Sequence, residues 1–248
     1  SMITAIIFLA GMFSVIPLTA VAYGTYGSLT YNTYDSDGDG VYDYLTIASC
    51  AQPVTEVEIP AEIDGVPVTE IQQYAFGGCN NLKNVIIPDR VVKIGKYAFY
   101  DCRSLKEITI PESVASIDNC AFKNCSVLET VLIKNPECEI YDSADTIFNN
   151  LIFDEETGED FNSINGIIYG YENSTAQAYA EKYGYNFKLF VQGDISKNDL
   201  IDLYDAIEVV KYIMKIRTFT ETDKQFADFT GNDAVDLYDA IEIARTLI

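Results

Sequence analysis

The apolar positions of this chain fall into three regimes along its length. Residues Ile3 to Ala22 are almost all apolar or small. In the middle, apolar residues recur in short alternating runs: Leu82-x-x-Val85-x-Ile87, then Leu105-x-x-Ile108-x-Ile110, then Leu128-x-x-Val131-x-Ile133. A period of two marks a strand with one buried face, so each run predicts a short strand. From Leu203, and again from Leu237, the apolar spacing becomes helical.

The middle regime repeats every 23 residues. Rows 82–104, 105–127 and 128–150 align position by position, after a less regular row from Thr55 to Asn81. A fixed period of this size predicts a solenoid, in which each row needs its neighbours to bury its apolar face. Pro60, Pro88 and Pro111 close the strands, because proline cannot donate to a ladder. Ile71, Ile94, Ile117 and Ile140 recur as a second inward position, and Ala75-Phe76, Ala98-Phe99 and Ala121-Phe122 set an aromatic at each turn. Cys79, Cys102 and Cys125 share one column. They read as stacked small hydrophobes, with a bridge between neighbouring rows as the other reading. The outward strand positions Asn84, Ile86, Glu107, Thr109, Thr130 and Leu132 form no chemical pattern and read as ordinary surface.

The flanks read as caps. Leu29–Tyr34 and Tyr42–Ile47 surround an Asp/Gly turn and predict a hairpin. Gly166–Tyr171 reads as a strand, Ser174–Gln177 as a capping box opening a helix to about Tyr183, and Tyr185–Val191 as a closing strand. Over about residues 55–150 the rows resemble the BspA-type leucine-rich repeat family, whose rows read close to L-x-x-I-x-I-P…I-x-x-x-A-F-x-x-C. The third row departs, with its proline at Pro136 and the Ala-Phe pair lost, and reads as the array winding down toward a cap.

The helical regime is a duplication. Segments starting at Asp194 and Asp228 share D-x-[ST]-x-N-D-x-[IV]-D-L-Y-D-A-I-E, offset by 34 residues. Each counts as a 12-residue calcium loop. The first offers Asp194, Ser196, Asn198, Asp202 and Asp205 with the Leu200 carbonyl. The second offers Asp228, Thr230, Asn232, Asp236 and Asp239 with the Ala234 carbonyl. Alternate side chains of a tight loop converge, which suits a hard cation that takes oxygen ligands. The loops depart from the EF-hand pattern in having Asp205 and Asp239 where Glu is usual, and Asp199 and Asp233 where Gly is usual. Thr222–Gln225 predicts a short helix between the copies.

Residues 193–248 resemble a type I dockerin. The resemblance implies calcium-dependent binding to a cohesin domain on a scaffolding protein of a bacterial cellulosome. It places recognition at Leu203, Tyr204, Leu237 and Tyr238, and at the helix positions Val210, Lys211, Lys215, Ala244 and Arg245. Because both copies carry Leu-Tyr-Asp-Ala-Ile-Glu, either face is expected to serve, in opposite orientations. The other reading of the leucines packs them into the domain's own core.

A third acidic stretch, Asp35-Ser-Asp37-Gly-Asp39-Gly40-Val41-Tyr-Asp43, follows part of the same template, which Thr46 breaks at its last position. Two readings stand: an Asp/Gly hairpin turn, or a third calcium site at Asp35, Asp37 and Asp39.

Charge narrows the function. The chain has 38 acids against 16 bases, a net charge of −22, and no histidine. That disfavours nucleic acid and anionic membranes as partners. It removes histidine-based catalysis and histidine-ligated zinc and leaves calcium and carboxylate-pair chemistry. Ala20-Val21-Ala22 is an A-x-A pattern, so residues 1–22 read as a secretory signal peptide rather than a membrane anchor. Secretion permits disulfides among the six cysteines.

These readings predict a leucine-rich repeat β-solenoid followed by a small all-α dockerin with two EF-hand-like calcium loops. The expected divisions are 1–22 signal peptide, 23–191 capped repeat domain and 192–248 dockerin. The expected protein is a secreted, extracellular, non-catalytic cellulosome subunit without membrane insertion after signal cleavage. Its dockerin holds two calcium ions and binds a scaffold cohesin, and its repeat domain binds an unidentified protein or glycan. The alternatives are a polysaccharide-degrading cellulosomal enzyme and a free surface adhesin. No catalytic residue is assigned, because the rows use their period for structure.

Overall fold

The computed structural model describes residues 22–148, 151–153, 160–162, 166–198 and 200–248. The signal-peptide expectation therefore lies outside the described residues, apart from Ala22. Three strands open the fold as an antiparallel meander: β1 (Ala22–Tyr26), β2 (Leu29–Tyr34) and β3 (Tyr44–Cys50). The rows follow as β4 (Glu56–Glu58), β5 (Glu62–Ile63), β6 (Val66–Ile71), β7 (Asn84–Ile86), β8 (Lys93–Ile94), β9 (Glu107–Ile110), β10 (Ser116–Ile117), β11 (Thr130–Ile133) and β12 (Glu139–Ile140). A hairpin of β13 (Leu151–Phe153) and β14 (Asp160–Asn162) precedes β15 (Ile167–Gly170), α1 (Thr175–Tyr183) and β16 (Asn186–Leu189). The chain ends in α2 (Leu203–Ile213), α3 (Glu221–Ala227) and α4 (Leu237–Arg245).

Each row supplies one strand to each side of the solenoid. On one side the order is β1-β2-β3-β6-β8-β10-β12, with β5 attached to β6. The recurring isoleucines are in register there, Ile71 opposite Ile94, Ile94 opposite Ile117 and Ile117 opposite Ile140. On the other side β9, β11, β15 and β16 run parallel, and β4 pairs with β7 ahead of them. The array therefore does not wind down at its third row: β11 passes its ladder to β15, and β15 to β16. The meander gives the first sheet strand β1, which the sequence reading missed.

The core between the sheets is a stack of equivalent residues. The rings of Phe76 and Phe99 stack at 4.9 Å, and those of Phe99 and Phe122 at 5.2 Å. All three are fully buried. The cysteine column is also buried, and all six cysteines are free thiols. Cys102 Sγ donates to the Phe76 carbonyl at 3.2 Å and Cys125 Sγ to the Phe99 carbonyl at 3.0 Å, so each thiol ties its row to the one before. After the array, the N-cap Ser174 Oγ accepts from Gln177 N, and Gly184 ends α1 in a left-handed conformation.

The C-terminal helices pack on the β9–β11–β15 side. Leu132 and Tyr169 point outward from β11 and β15, yet both are buried in one apolar cluster with Phe190, Ile195, Val209, Phe226 and Ile243. This corrects the reading of Leu132 as ordinary surface. An apolar outward side chain gains by being covered, at about 25 cal/mol per Å² removed from water, and here α3 supplies the cover. Polar contacts frame the joint. Lys134 Nζ donates to Gln225 Oε1 at 3.1 Å, and Thr222 N donates to Glu107 Oε1 at 3.3 Å. Gly193 turns the chain at φ +100°, where a Cβ would lie 2.6 Å from the Phe229 ring, so only glycine fits.

Candidate calcium loops and docking face

The two copies of the duplicated segment share a frame of side-chain-to-amide hydrogen bonds. Asp202 and Asp236 are the N-caps of α2 and α4, each accepting from the backbone amide two residues on, Tyr204 N and Tyr238 N, at 2.7 Å. Asp205 and Asp239 complete reciprocal capping boxes, accepting from Asp202 N and Asp236 N at 2.8 Å. Their other oxygens reach back into the loops, to Ser196 N at 2.9 Å and Thr230 N at 3.0 Å. Asp194 and Asp228 accept from Asn198 N at 3.1 Å and Asn232 N at 3.0 Å. Asn198 and Asn232 each turn a side-chain oxygen onto the amide two residues ahead, Leu200 N and Ala234 N, at 2.9 Å. The sequence repeats because the loop needs the same side-chain acceptors at the same places.

The residues fit a hard cation by their chemistry. Asp205 and Asp239 are 0% exposed, and neither takes part in an ion pair with a lysine or arginine among the described residues. Burying a carboxylate without a countercharge is costly, and a divalent ion held by these residues would supply that charge. Ser196 joins two of the first loop's acids, its amide on Asp205 and its hydroxyl on Asp194 at 3.1 Å. In the second loop, Thr230 gives both its amide and its hydroxyl to Asp239. The carboxylates of Asp202 and Asp236 are turned to their helix amides instead, and neither loop draws three carboxylates within 4.8 Å of one another among the described residues. Asp199 lies outside the described residues; Asp233 takes the left-handed conformation its loop position requires, at φ +63°.

The hairpin acids do come together, Asp35, Asp37 and Asp39 lying within 4.8 Å of one another. Their oxygens are used by the turn itself. Gly38 N and Gly40 N donate to Asp35, Asp39 N to Asp37 and Val41 N to Asp39. Thr46 is buried on β3 and accepts from Gln72 Nε2 rather than facing the loop.

The candidate recognition residues divide into two groups. Leu203, Tyr204, Leu237 and Tyr238 stand out from the helices, 60%, 54%, 58% and 69% exposed, so the leucines do not pack in the domain core. Ile207 and Ile241, one helical turn on in each copy, are 43% and 38% exposed and extend the same stripe. The sequence reading missed this pair, although the shared Leu-Tyr-Asp-Ala-Ile carried it. Lys215 and Arg245 are exposed, and Arg245 pairs with Glu242. Lys211 is tied to the buried Glu208 at 2.6 Å, and Arg217 holds the same carboxylate from the other side. Together with Lys211 they keep the Glu208 carboxyl below the usual carboxylate range against the opposing effect of burial. Val210 and Ala244, equivalent in the two copies, turn toward the domain core.

The molecule thus combines two modules: a stacked repeat array, and a duplicated loop–helix domain packed on its side. Residues 48–165 match the family model of the BspA type leucine rich repeat region in 6 copies, and residues 192–248 match that of the dockerin type I domain. The chain carries a BspA-type leucine-rich repeat region and, C-terminal to it, a type I dockerin domain. No curated protein matches it. Among solved structures it is similar to a leucine-rich repeat protein from Bacteroides ovatus, with 27% identity, 47% of this chain and 31% of that one covered, and a TM-score of 0.42. It is also similar to a leucine-rich repeat protein from Bacteroides capillosus, with 23% identity, coverages of 60% and 99% and a TM-score of 0.47. A leucine rich cell surface protein from Faecalibacterium prausnitzii shows 30% identity, coverages of 48% and 35% and a TM-score of 0.37. The chain spans less than a third of the first of these proteins.

Proposed function

We propose that this protein is a secreted, non-catalytic cellulosome subunit whose dockerin plugs into a scaffold cohesin while its repeat domain binds a protein or glycan. The observation that carries the reading is the pair of apolar stripes, Leu203-Tyr204-Ile207 and Leu237-Tyr238-Ile241, exposed at equivalent positions of the two copies. Exposed apolar groups gathered in this way are characteristic of protein-binding surfaces. The buried Asp205 and Asp239 support calcium in both loops, with Asp194, Ser196, Asn198, Leu200 and Asp202 as the remaining ligands of the first. Asp228, Thr230, Asn232, Ala234 and Asp236 are those of the second. Metal loading orders the helix caps that present the stripes.

The test is binding of the full chain to a panel of cohesins, in calcium and then in chelator. Binding that chelation abolishes supports the reading; calcium uptake with no cohesin bound at any concentration tested overturns it. Changing Ile207 and Tyr204, then Ile241 and Tyr238, then all four, to glutamate or alanine separates the faces. Retained binding in each half-variant and loss in the combined one fit two interchangeable faces.

A further inference from the structure

The duplicated loops differ at one position that matters for the fold. Lys197 and Gly231 are equivalent, the fourth residue of each loop, and both are left-handed, at φ +57° and +69°. Glycine takes that conformation without penalty, and lysine does not. A Cβ at Gly231 would meet nothing within 4 Å, so open space surrounds the second loop at that point. In the first loop the side chain has much to touch. Lys197 Nζ lies 2.8 Å from Asp223 Oδ1, 5.2 Å from the ring centre of Phe226 and 5.7 Å from that of Tyr169. Asp223 and Phe226 belong to α3, and Tyr169 belongs to β15 of the repeat array. The ion pair is largely enclosed, its side chains 25% and 13% exposed. One ammonium thus joins a loop, the helix beside it and the sheet beneath.

Its neighbours in the loop are Ser196 and Asn198, whose backbone amides donate to Asp205 and Asp194. The backbone conformation that aims Lys197 at Tyr169 is therefore set by the same carboxylates assigned to the first metal. We propose that Lys197 is a latch coupling metal loading of the first loop, and not of the second, to seating of the dockerin on the repeat sheet. The proposal rests on the calcium reading given above. Coupling of this kind is reciprocal: seating on the sheet favours metal in the first loop as much as metal there favours seating.

Hydrogen exchange of the full chain across a calcium titration tests it. In the unaltered protein, calcium is expected to slow exchange in both loops and also in α3 and β15. In Lys197→Gly, which installs the residue of the second copy, both loops are expected to take up calcium while β15 stops responding and α3 keeps only the response of its C-cap Asp228, a ligand of the second loop. A response of α3 and β15 equal to that of the unaltered protein sinks the latch. So does an unaltered protein that binds calcium without any change in α3 or β15, and neither result touches the calcium reading. An unaltered protein that binds no calcium overturns both. A second variant approaches from the array. Tyr169→Leu keeps an apolar side chain but removes the ring beneath the ammonium, and is expected to weaken calcium at the first loop about fivefold and leave the second unchanged. Equal affinity at the first loop overturns the proposal.

Discussion

The Lys134 ammonium of the repeat array donates to the Gln225 side-chain oxygen of α3 at 3.1 Å, beside an apolar joint formed by Leu132, Tyr169 and Phe226. Sheet and helix here share one core. Leu132→Ala removes a fully buried side chain from that core and is expected to cost about 2–5 kcal/mol. The loss falls on the joint, so differential scanning calorimetry is expected to show two separated transitions in the variant. Thr109→Val gives the contrast. The Thr109 hydroxyl is buried without a hydrogen-bond partner among the described residues, so its removal is expected to be neutral or stabilising.

Inside the array, Phe99 has a ring on either side, Phe76 and Phe122. Phe99→Ala leaves a gap that two rigid rows cannot close and is expected to cost about 3–5 kcal/mol. Phe99→Leu refills part of the space and is expected to recover roughly half of that, because burial remains when stacking is lost. Urea unfolding followed by far-UV circular dichroism measures both.

The repeat was legible because a solenoid writes its geometry into its period: Ile71, Ile94, Ile117 and Ile140 are in register for the same reason that they recur. The loops were legible because one residue type at each position satisfies one amide, as Asn198 and Asn232 do for Leu200 and Ala234. The joint was not. Leu132 and Tyr169 are outward positions on separate strands, and nothing near them in sequence announces that Phe226 covers them. Lys197 carries no signal in the sequence, because a lysine between two polar loop residues reads as solvated loop until its side chain is traced to Asp223.

That ion pair sets an acid limit on the joint. Burial opposes the Asp223 charge, but Lys197 and the Thr220 amide and hydroxyl hold its carboxyl below its ordinary 3.8. A carboxyl lowered on folding adds stability above its unfolded value and loses it as the pH falls toward its folded one. The contribution is therefore present at neutral pH and fades below about pH 4. Asp223→Asn lacks this component. Thermal unfolding in chelator from pH 6 to pH 3 is expected to show the two proteins converging in stability at the acid end.

The cysteines offer a test of packing by chemistry. Hydrogen bonding from the Cys79 thiol outweighs burial to lower Cys50 to about 7, while the same contact raises Cys79. Cys102 is raised through its contact with Cys125 and by burial, and Cys138 is pushed up to about 12 by burial. Thiolate is the reactive form, and Cys50 is the least buried of the six. Iodoacetamide at pH 8 is expected to modify Cys50 in the folded protein and the other five only in denaturant, as read by peptide mass spectrometry. Early modification of Cys102 or Cys125 would mean that the column is open.

Calcium dependence distinguishes a structural carboxylate from a ligand. Asp205 and Asp239 each cap a helix and each reach into a loop, so Asn at either site loses something even without metal. A weakened cap costs about 1 kcal/mol. A lost site costs more only when metal is present, because a ligand at 100 times its dissociation constant stabilises the folded state by about 2.7 kcal/mol. Asp205→Asn and Asp239→Asn are therefore expected to lie about 1 kcal/mol below the unaltered protein in chelator and about 3–4 kcal/mol below it in saturating calcium. Denaturant midpoints in the two conditions measure the difference. A penalty that does not grow on adding calcium would make both carboxylates helix caps and nothing more.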